Sequence, residues 1–178
     1  ASLTVCLCQI ASTNNISGNL EKVQRLLEER NSDHCTLTLF PENMLCRGSY
    51  AEIREHANEE TFFVDKLAAL SAQFNTTIVW GGIPVVYRTP TGFRKNLRIS
   101  CVNPSATNEK STVCSLDSEK LYNTSLVINP SGELISSYRK MHLFQLNSGK
   151  TNINESSLFE PGTTPATFTL NGWQIGLT

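Results

Sequence analysis

The sequence predicts an α/β fold in which a largely parallel sheet is covered by helices. Three observations lead to this prediction: apolar runs of strand length, apolar residues at helical spacing, and the alternation of the two along the first half of the chain. Strands that alternate with helices pair in parallel, because each helical connection crosses one face of the sheet.

The predicted sheet begins with two strands that are connected by a helix. Residues 3–10 are apolar on both faces, which predicts a strand that is covered on both sides. A helix is expected from about Asn19, because four apolar residues share one face: Leu20, Val23, Leu26 and Leu27. Residues 36–40 predict the second strand, which Pro41 ends because proline lacks a donor for the sheet.

A second helix and a third strand continue the pattern. Residues 77–80 predict the third strand, which we expect Gly81 and Gly82 to break. Trp80 is predicted to lie in the core, as is Trp173 near the end of the chain. An amphipathic helix is predicted near residues 60–74, from the spacing of Phe63, Leu67, Leu70 and Phe74.

The rest of the chain predicts strands joined by turns. Turn signals stand at residues 89–92, at 129–132 and at Asn171-Gly172. Residues 103–119 are polar and aperiodic, which predicts a surface loop, and residues 145–165 are expected to be irregular. The predicted strand pairs are 83–87 with 93–102, 122–128 with 134–138, and Ala166–Leu170 with Trp173–Leu177.

The composition excludes two classes of partner. The chain has 178 residues, of which 39% are hydrophobic, and 15 Lys and Arg balance 16 Asp and Glu. Sequence-independent binding to nucleic acid needs a basic surface, so no nucleic-acid partner is expected. No apolar run reaches the roughly 18–20 residues that cross a bilayer, so no membrane partner is expected. The first residues lack the pattern of a secretory signal, which favours a cytoplasmic protein.

The six cysteines are predicted to be free thiols, buried or incidental. A chain of this size needs no disulfides to be stable, and its start shows no secretory signal. No Cys-x-x-Cys pair occurs and the three histidines are scattered, so no metal site is expected. The positions are Cys6, Cys8, Cys35, Cys46, Cys101 and Cys114.

Three charged residues are candidates for a functional site. Glu42 and Lys140 each follow a predicted strand, and binding groups converge at the carboxyl ends of strands in α/β sheets. Apolar neighbours favour partial burial of Lys140, and a buried ammonium requires a carboxylate partner. Glu155, from the segment expected to be irregular, is the third. Each alone is typical of a solvated surface group, but no nucleophile elbow, phosphate loop or metal-ligand cluster competes with them.

Together, and in this order, the motifs resemble the carbon–nitrogen hydrolase (nitrilase) superfamily. The resemblance spans the chain from Leu3 onward and is closest to the Nit branch of small-acid ω-amidases. It implies an α-β-β-α sandwich and a homo-oligomer, and no cofactor is expected. The motifs are Phe40-Pro41-Glu42, Tyr138-Arg139-Lys140-Met141-His142-Leu143-Phe144, Asn154-Glu155-Ser156 and Trp173-Gln174-Ile175-Gly176-Leu177-Thr178, with the turn at 129–132 before the lysine.

The resemblance also implies a Glu-Lys-Cys triad whose nucleophile is absent from this sequence. In the family, the strand that matches residues 173–178 leads directly into a Cys-Tyr-Asp-type motif, and this sequence stops at Thr178. None of the six cysteines stands at that position. We therefore expect residues 1–178 to form one carbon–nitrogen hydrolase domain that is incomplete at its C-terminal end, with the missing part as a partner.

The implied function is hydrolysis of a non-peptide carbon–nitrogen bond in a small amide or nitrile. This chemistry needs a nucleophile, a base for its proton, a proton donor for ammonia and a group that stabilises the oxyanion. The resemblance implies that Glu42 is the base, that Lys140 stabilises the oxyanion, and that Glu155 orients Lys140 or the attacking water. The 178-residue chain alone is expected to be inactive.

Two other classes of function remain open. A catalytically inactive nitrilase-like scaffold or partner subunit would carry the same motifs, and the residues after Thr178 distinguish it from an enzyme. An unrelated nucleotide- or metabolite-binding module is disfavoured, because residues 11–15, after the first strand, form no glycine-rich phosphate loop.

Overall fold

A five-stranded mixed sheet organises the computed structural model, which describes residues 2–30, 35–57, 60–86 and 121–178. The first three strands pair in parallel, and the last two are antiparallel to their neighbours. The α/β class and the parallel first half of the sheet are therefore confirmed. In the order of the sheet, which is also the order of the chain, the strands are β1 (Val5–Leu7), β2 (Leu37–Leu39), β3 (Thr77–Val86), β4 (Leu121–Ile128) and β5 (Leu134–Arg139).

Three helices cover one face of the sheet: α1 (Ile16–Arg30), α2 (Tyr50–Ala57) and α3 (Glu60–Gln73). The predictions of α1 and α3 are confirmed. α1 begins before Asn19, because the Asn15 side chain accepts a hydrogen bond from the backbone N–H of Gly18 at 3.0 Å and so caps the helix. None of these helices has both the length and the apolarity that a bilayer crossing requires.

The short helix α2 was not predicted, although a capping box marks its start. Ser49 Oγ accepts a hydrogen bond from the Glu52 backbone N–H at 3.3 Å, and Glu52 Oε2 accepts one from the Ser49 backbone N–H at 2.7 Å. Hydrogen bonds from Asn14 and then from Ser49 lower the pKa of Glu52 to about 2. The Ser-x-x-Glu spacing is the local signal that could have revealed this helix.

The main core lies between the helices and the sheet. Trp80 is fully buried in it, which confirms the prediction for this residue. The Trp80 ring stacks on Phe40 with centroids 5.0 Å apart, and its Nε1–H donates to Ser71 Oγ at 3.3 Å. The residue that follows Phe40 by two positions is Glu42, so this packing anchors the segment that carries a candidate site residue.

Strand β3 runs through Gly81 and Gly82 instead of ending before them. The pairing of β3 with β4 shifts register between Trp80 and Ile83, which marks a bulge at the two glycines. A separate strand was predicted at 83–87, and residues 83–86 of it are the second half of β3. The predictions for residues 87–119, including the strand at 93–102 and the polar loop, fall outside the described residues.

Residues 145–165, expected to be irregular, contain a small hairpin and a helical turn. β6 (Gln145–Asn147) pairs antiparallel with β7 (Asn152–Asn154), and a 3-10 turn follows over Glu155–Ser157. Each of these elements is three residues long. A segment of that length is too short for hydrophobic periodicity to reveal.

A second hairpin, predicted from Asn171-Gly172, packs on the other face of the sheet. β8 (Ala166–Leu170) pairs with β9 (Trp173–Leu177), and the predicted bounds are confirmed. Phe168 of this hairpin joins a second apolar cluster with residues of the sheet: Leu37, Val79 and Val127. The hairpin lies over the β5 side, where Ser136 Oγ donates to the Thr167 carbonyl oxygen at 3.3 Å.

Two predictions of burial on this face are wrong. β1 was expected to be covered on both sides, yet Leu7 is 80% exposed and Val5 is exposed as well. β1 is the edge strand farthest from β5, and β5 is the strand of the sheet that the hairpin mainly contacts. Trp173 was expected in the core but is 51% exposed; it directly follows the hairpin turn, opposite Leu170.

Cys6 and Cys35 form a disulfide with Cα atoms 5.9 Å apart, so the prediction of free thiols is wrong for this pair. Cys6 lies on β1 opposite Thr38 of β2, and Cys35 stands just before β2, so strand pairing brings the two together. Their separation of 29 residues gives no sign of the bond in the sequence. Cys8 and Cys46 are outside any disulfide, and Cys101 and Cys114 lie outside the described residues.

Leu67→Ala is expected to lower the free energy of unfolding by about 3 kcal/mol or more, because Leu67 of α3 is fully buried and its truncation leaves a cavity. The matched variant Leu146→Ala, at an exposed position of β6, should change it by less than about 1 kcal/mol. Equilibrium urea unfolding measures both. Similar losses for the two variants would contradict the assignment of the main core.

Candidate active site

The topology of the sheet brings Glu42 and Lys140 to the same edge. Glu42 follows β2 and Lys140 follows β5. β5 runs in the same direction as β2 and β3, because the two antiparallel steps through β4 restore the direction. The carboxyl ends of β2 and β5 therefore face the same side, where ligands bind in α/β sheets.

All three predicted residues meet at the ammonium group of Lys140. Its Nζ lies 2.8 Å from Glu42 Oε1 and 3.0 Å from Glu155 Oε2. The Glu155 side chain is 14% exposed, whereas that of Glu42 is 45% exposed. Lys140 thus bridges a largely buried carboxylate and one that reaches solvent.

The ammonium state of Lys140 is favoured in this setting. Burial by itself lowers the pKa of Lys140, but hydrogen bonds to Glu42 and Glu155, with the charges of both, outweigh burial and raise this pKa above its ordinary value. The resulting stability is fully present below the unfolded pKa of about 10.4 and is lost as the pH rises through the higher folded value. At neutral pH Lys140 can stabilise negative charge, but it cannot act as a nucleophile.

Backbone hydrogen bonds hold Lys140 and Glu155 in place. The Lys140 N–H donates to the Asn123 carbonyl at 2.8 Å, and the Lys140 carbonyl accepts from the Gly162 N–H at 2.9 Å. Glu155 Oε2 accepts from the Phe144 N–H at 2.7 Å, and the Glu155 N–H donates to the Phe144 carbonyl at 3.0 Å. The β6–β7 hairpin creates this second contact, because it folds residue 155 back onto residue 144.

The glycine bulge of β3 makes room for Glu42. A Cβ on Gly81 would lie 2.6 Å from the Phe40 carbonyl oxygen, and one on Gly82 would lie 2.6 Å from Glu42 Cγ. Gly82 also has φ of +51°, a conformation that residues with a side chain rarely adopt. The glycine pair predicted a strand break, whereas a glycine in a strand also signals the close approach of another segment.

Gly82→Ala is expected to destabilise the protein more than Gly149→Ala. Both glycines have positive φ, which costs a side chain about 1–2 kcal/mol. At Gly149 a Cβ would meet nothing within 4 Å, so the variant reports this backbone cost alone. At Gly82 the overlap with Glu42 should add about 1–3 kcal/mol. Urea unfolding tests the difference, and equal losses would contradict the close approach of Glu42.

Asn123 is a site residue that was not predicted from the sequence. It lies on β4 and is 3% exposed, and its Nδ2 donates to Glu42 Oε1 at 2.5 Å. An amide side chain within a predicted strand was the available signal, because a buried amide must find a hydrogen-bond partner.

A cavity of about 280 Å³ adjoins these residues. Glu42, Asn123 and Lys140 line it, together with Tyr138 and, from the end of the chain, Thr178. Polar groups that converge on a concave site are typical of binding and catalytic sites for small molecules.

None of the described cysteines lines the cavity beside Lys140. Cys46 lines a different cavity, of about 440 Å³, which Glu155 also reaches. Burial, and then the charge of Glu52, raises the pKa of the Cys46 thiol, so its thiolate is scarce at neutral pH. Cys6 and Cys35 are joined to each other. In the described ranges, no group of three or more His, Cys, Asp or Glu side chains could hold a metal ion.

Comparison with known proteins gives matches along almost the whole chain. The family model for carbon–nitrogen hydrolases matches residues 4–178. A chloroplastic omega-amidase of Arabidopsis thaliana is 26% identical over 178 residues, which cover 96% of this chain and 40% of that protein. Omega-amidase NIT2 of Homo sapiens is 42% identical over 62 residues, which cover 34% of this chain and 22% of that protein. The chain thus spans less than half the length of these relatives.

Solved structures match the fold over a similar extent. The NitFhit protein of C. elegans has a TM-score of 0.65 at 22% identity, over 91% of this chain and 34% of that chain. An amidase from Nesterenkonia sp. has a TM-score of 0.66 at 16% identity, over 98% of this chain and 54% of that one. The nitrilase-type α/β fold that the motifs implied is therefore confirmed.

Proposed function

The chain belongs to the carbon–nitrogen hydrolase family, and from that premise we propose that the whole protein hydrolyses a small carboxylic amide to an acid and ammonia. The observation that carries this proposal is the contact of Lys140 Nζ with both Glu42 and Glu155, beside a cavity that Thr178 also lines. An ammonium between two carboxylates supplies a base and a cation within reach of one small substrate.

In the proposed reaction, a cysteine thiol from the residues after Thr178 attacks the amide carbon. Glu42 takes the thiol proton as the carbon–sulfur bond forms, and the Lys140 ammonium stabilises the oxyanion. Glu42 then gives that proton to the leaving nitrogen, so that ammonia departs and a thioester remains. Water attacks the thioester with Glu42 again as the base, which releases the acid and restores the thiol. Glu155 holds Lys140 in place.

The names of matched relatives support an amide of a small acid as the substrate class. Two of them are named omega-amidases, and a third, from Synechocystis, is named deaminated glutathione amidase. The Lys140 ammonium suits an amide carbonyl in the adjoining cavity, where negative charge develops on the oxygen during attack.

We further propose that the residues after Thr178 complete the fold as well as the site. Val5 and Leu7 of β1 leave apolar side chains exposed on the face that carries the β8–β9 hairpin. Among the described residues β1 pairs only with β2, and an exposed apolar face beside such an edge strand favours the addition of further structure. Because the proposed nucleophile lies after Thr178, the 178-residue chain alone is proposed to be inactive.

The test compares the 178-residue chain with the protein extended past Thr178. Each is incubated with amides of short dicarboxylic acids and with simple nitriles, and released ammonia is measured. The extended protein should release ammonia from at least one amide, and the shorter chain should release none above a Lys140→Ala control. If the extended, folded protein hydrolyses no amide or nitrile, the inactive scaffold replaces the enzyme as the function.

A further inference from the structure

Asn123 contacts both charged partners of the proposed reaction. Its side-chain Nδ2 donates to Glu42 Oε1 at 2.5 Å, and its carbonyl oxygen accepts from the Lys140 N–H at 2.8 Å. Asn123 lies near the start of β4 opposite Pro84 of β3, just beyond the glycine bulge. One residue thus joins the bulge, the proposed base and the backbone of the proposed oxyanion-binding lysine.

The chemistry of the contact requires an amide. An ionised carboxylate only accepts hydrogen bonds, so the side-chain nitrogen of Asn123, and not its oxygen, must face Glu42. The residue is 3% exposed, so its polar atoms need protein partners in place of water. Aspartate has the same shape but, when ionised, lacks the donor. A comparison of asparagine with aspartate at position 123 therefore separates the effect of the hydrogen bond from the effect of packing.

Both donors to Glu42 use the same oxygen. Asn123 Nδ2 and Lys140 Nζ both bond to Oε1, at 2.5 and 2.8 Å. Within the described part of the chain, Oε2 of Glu42 accepts no hydrogen bond. The side chain of Glu42 is 45% exposed and would otherwise sample several rotamers. Two donors on Oε1 hold the carboxylate in one orientation and keep Oε2 available for a proton.

We propose that Asn123 is a positioning residue, which orients Glu42 so that Oε2 receives the proton of the nucleophile. The inference rests on the proposed amide hydrolysis. Asn123 donates to Oε1 and not to the oxygen that is proposed to take the proton, so it acts through the carboxylate that it holds. Since a misplacement of about 1 Å at a reacting group costs about 10²-fold in rate, its loss should lower kcat and leave KM largely unchanged.

The experiment measures kcat, KM and the pH profile of the complete protein with Asn123→Asp and Asn123→Ala. Asn123→Asp should lower kcat about 100-fold near neutral pH, with little change in KM. It should also move the acid limb of the kcat profile upward by about one pH unit, because a second carboxylate beside Glu42 disfavours the ionised pair. Asn123→Ala should lower kcat without moving the acid limb of the kcat profile.

The matched control is Asn75→Asp, the same substitution at an exposed turn before β3. The pairing of Leu37 with Thr77 sets this turn at the opposite end of the sheet from Glu42. Its kcat and pH profile should equal those of the unsubstituted protein. Thermal unfolding of every variant reports whether the fold is retained.

Four outcomes would overturn either the proposed function or the positioning role of Asn123. An unsubstituted complete protein without amide hydrolysis refutes the proposed function. Hydrolysis that Asn123→Asp leaves unchanged refutes the positioning role alone. A fall in kcat with an unmoved acid limb and a large loss of thermal stability assigns Asn123 a purely structural role. Failure of both Asn123 variants to fold has the same meaning.

Discussion

Lys140→Met is expected to lower kcat of the complete protein by about 10²–10³-fold, the usual cost of losing one group that stabilises an oxyanion. Methionine keeps much of the length of the lysine side chain, so the loss reports the charge. The variant should be folded, because the Lys140 backbone keeps its bonds to Asn123 and Gly162. Steady-state ammonia release from a short ω-amide measures the effect.

Lys140→Met should also change the pH dependence of kcat. Without the ammonium, Glu42 and Glu155 face each other with no cation between them, and two nearby carboxylates disfavour double ionisation. Lys140→Arg is the matched control, because it keeps the charge but presents a planar group. The Lys140→Arg protein should therefore retain more activity than the Lys140→Met protein. Activity of Lys140→Met equal to that of the unsubstituted protein would exclude Lys140 from the reaction.

Glu42→Gln is expected to lower kcat by about 10³-fold, within the range for loss of a general base. Glutamine has the shape of glutamate and can still accept hydrogen bonds from Lys140 and Asn123 through its carbonyl oxygen. It cannot take a proton at neutral pH. The amide also removes one of the two charges beside Lys140, but Glu155 remains to hold the ammonium.

The control for this variant is Glu55→Gln, at an exposed position of α2, which should have the kcat of the unsubstituted protein. Ammonia release and the rate of alkylation of the nucleophilic thiol are measured for both. Slow alkylation in Glu42→Gln alone would identify Glu42 as the base that activates the thiol. A Glu42→Gln protein with unchanged kcat would contradict that role.

Elements defined by local chemistry were predictable from the sequence. The Asn171-Gly172 turn and the alternation around it predicted the β8–β9 hairpin with its bounds, and the turn at 129–132 predicted the pairing of β4 with β5. A turn and its two flanking strands are close in sequence, so the residues that determine them all appear in one short window. Elements of three residues, such as β6 and β7, offered no such window.

Contacts between distant segments were not predictable in the same way. The exposure of Trp173 and Leu7 depends on how far a hairpin reaches across the sheet. The Cys6–Cys35 bond depends on the pairing of β1 with β2. Each is decided by the relative placement of whole elements, and hydrophobic pattern carries no information on that placement.

The same distinction between local sequence and long-range contacts applies to the candidate site. The order of the residues shows which charged side chains follow the strands, and the motifs around Glu42, Lys140 and Glu155 pointed to the family. The position of Lys140 between the two carboxylates, and the single oxygen of Glu42 that Asn123 and Lys140 share, depend on the folded chain, as does the space that Gly82 leaves for Glu42. Hydrogen bonds depend on distance and direction within tenths of an ångström, which sequence order does not specify. Such geometry arises only once β2, β3, β4 and β5 pack into one sheet.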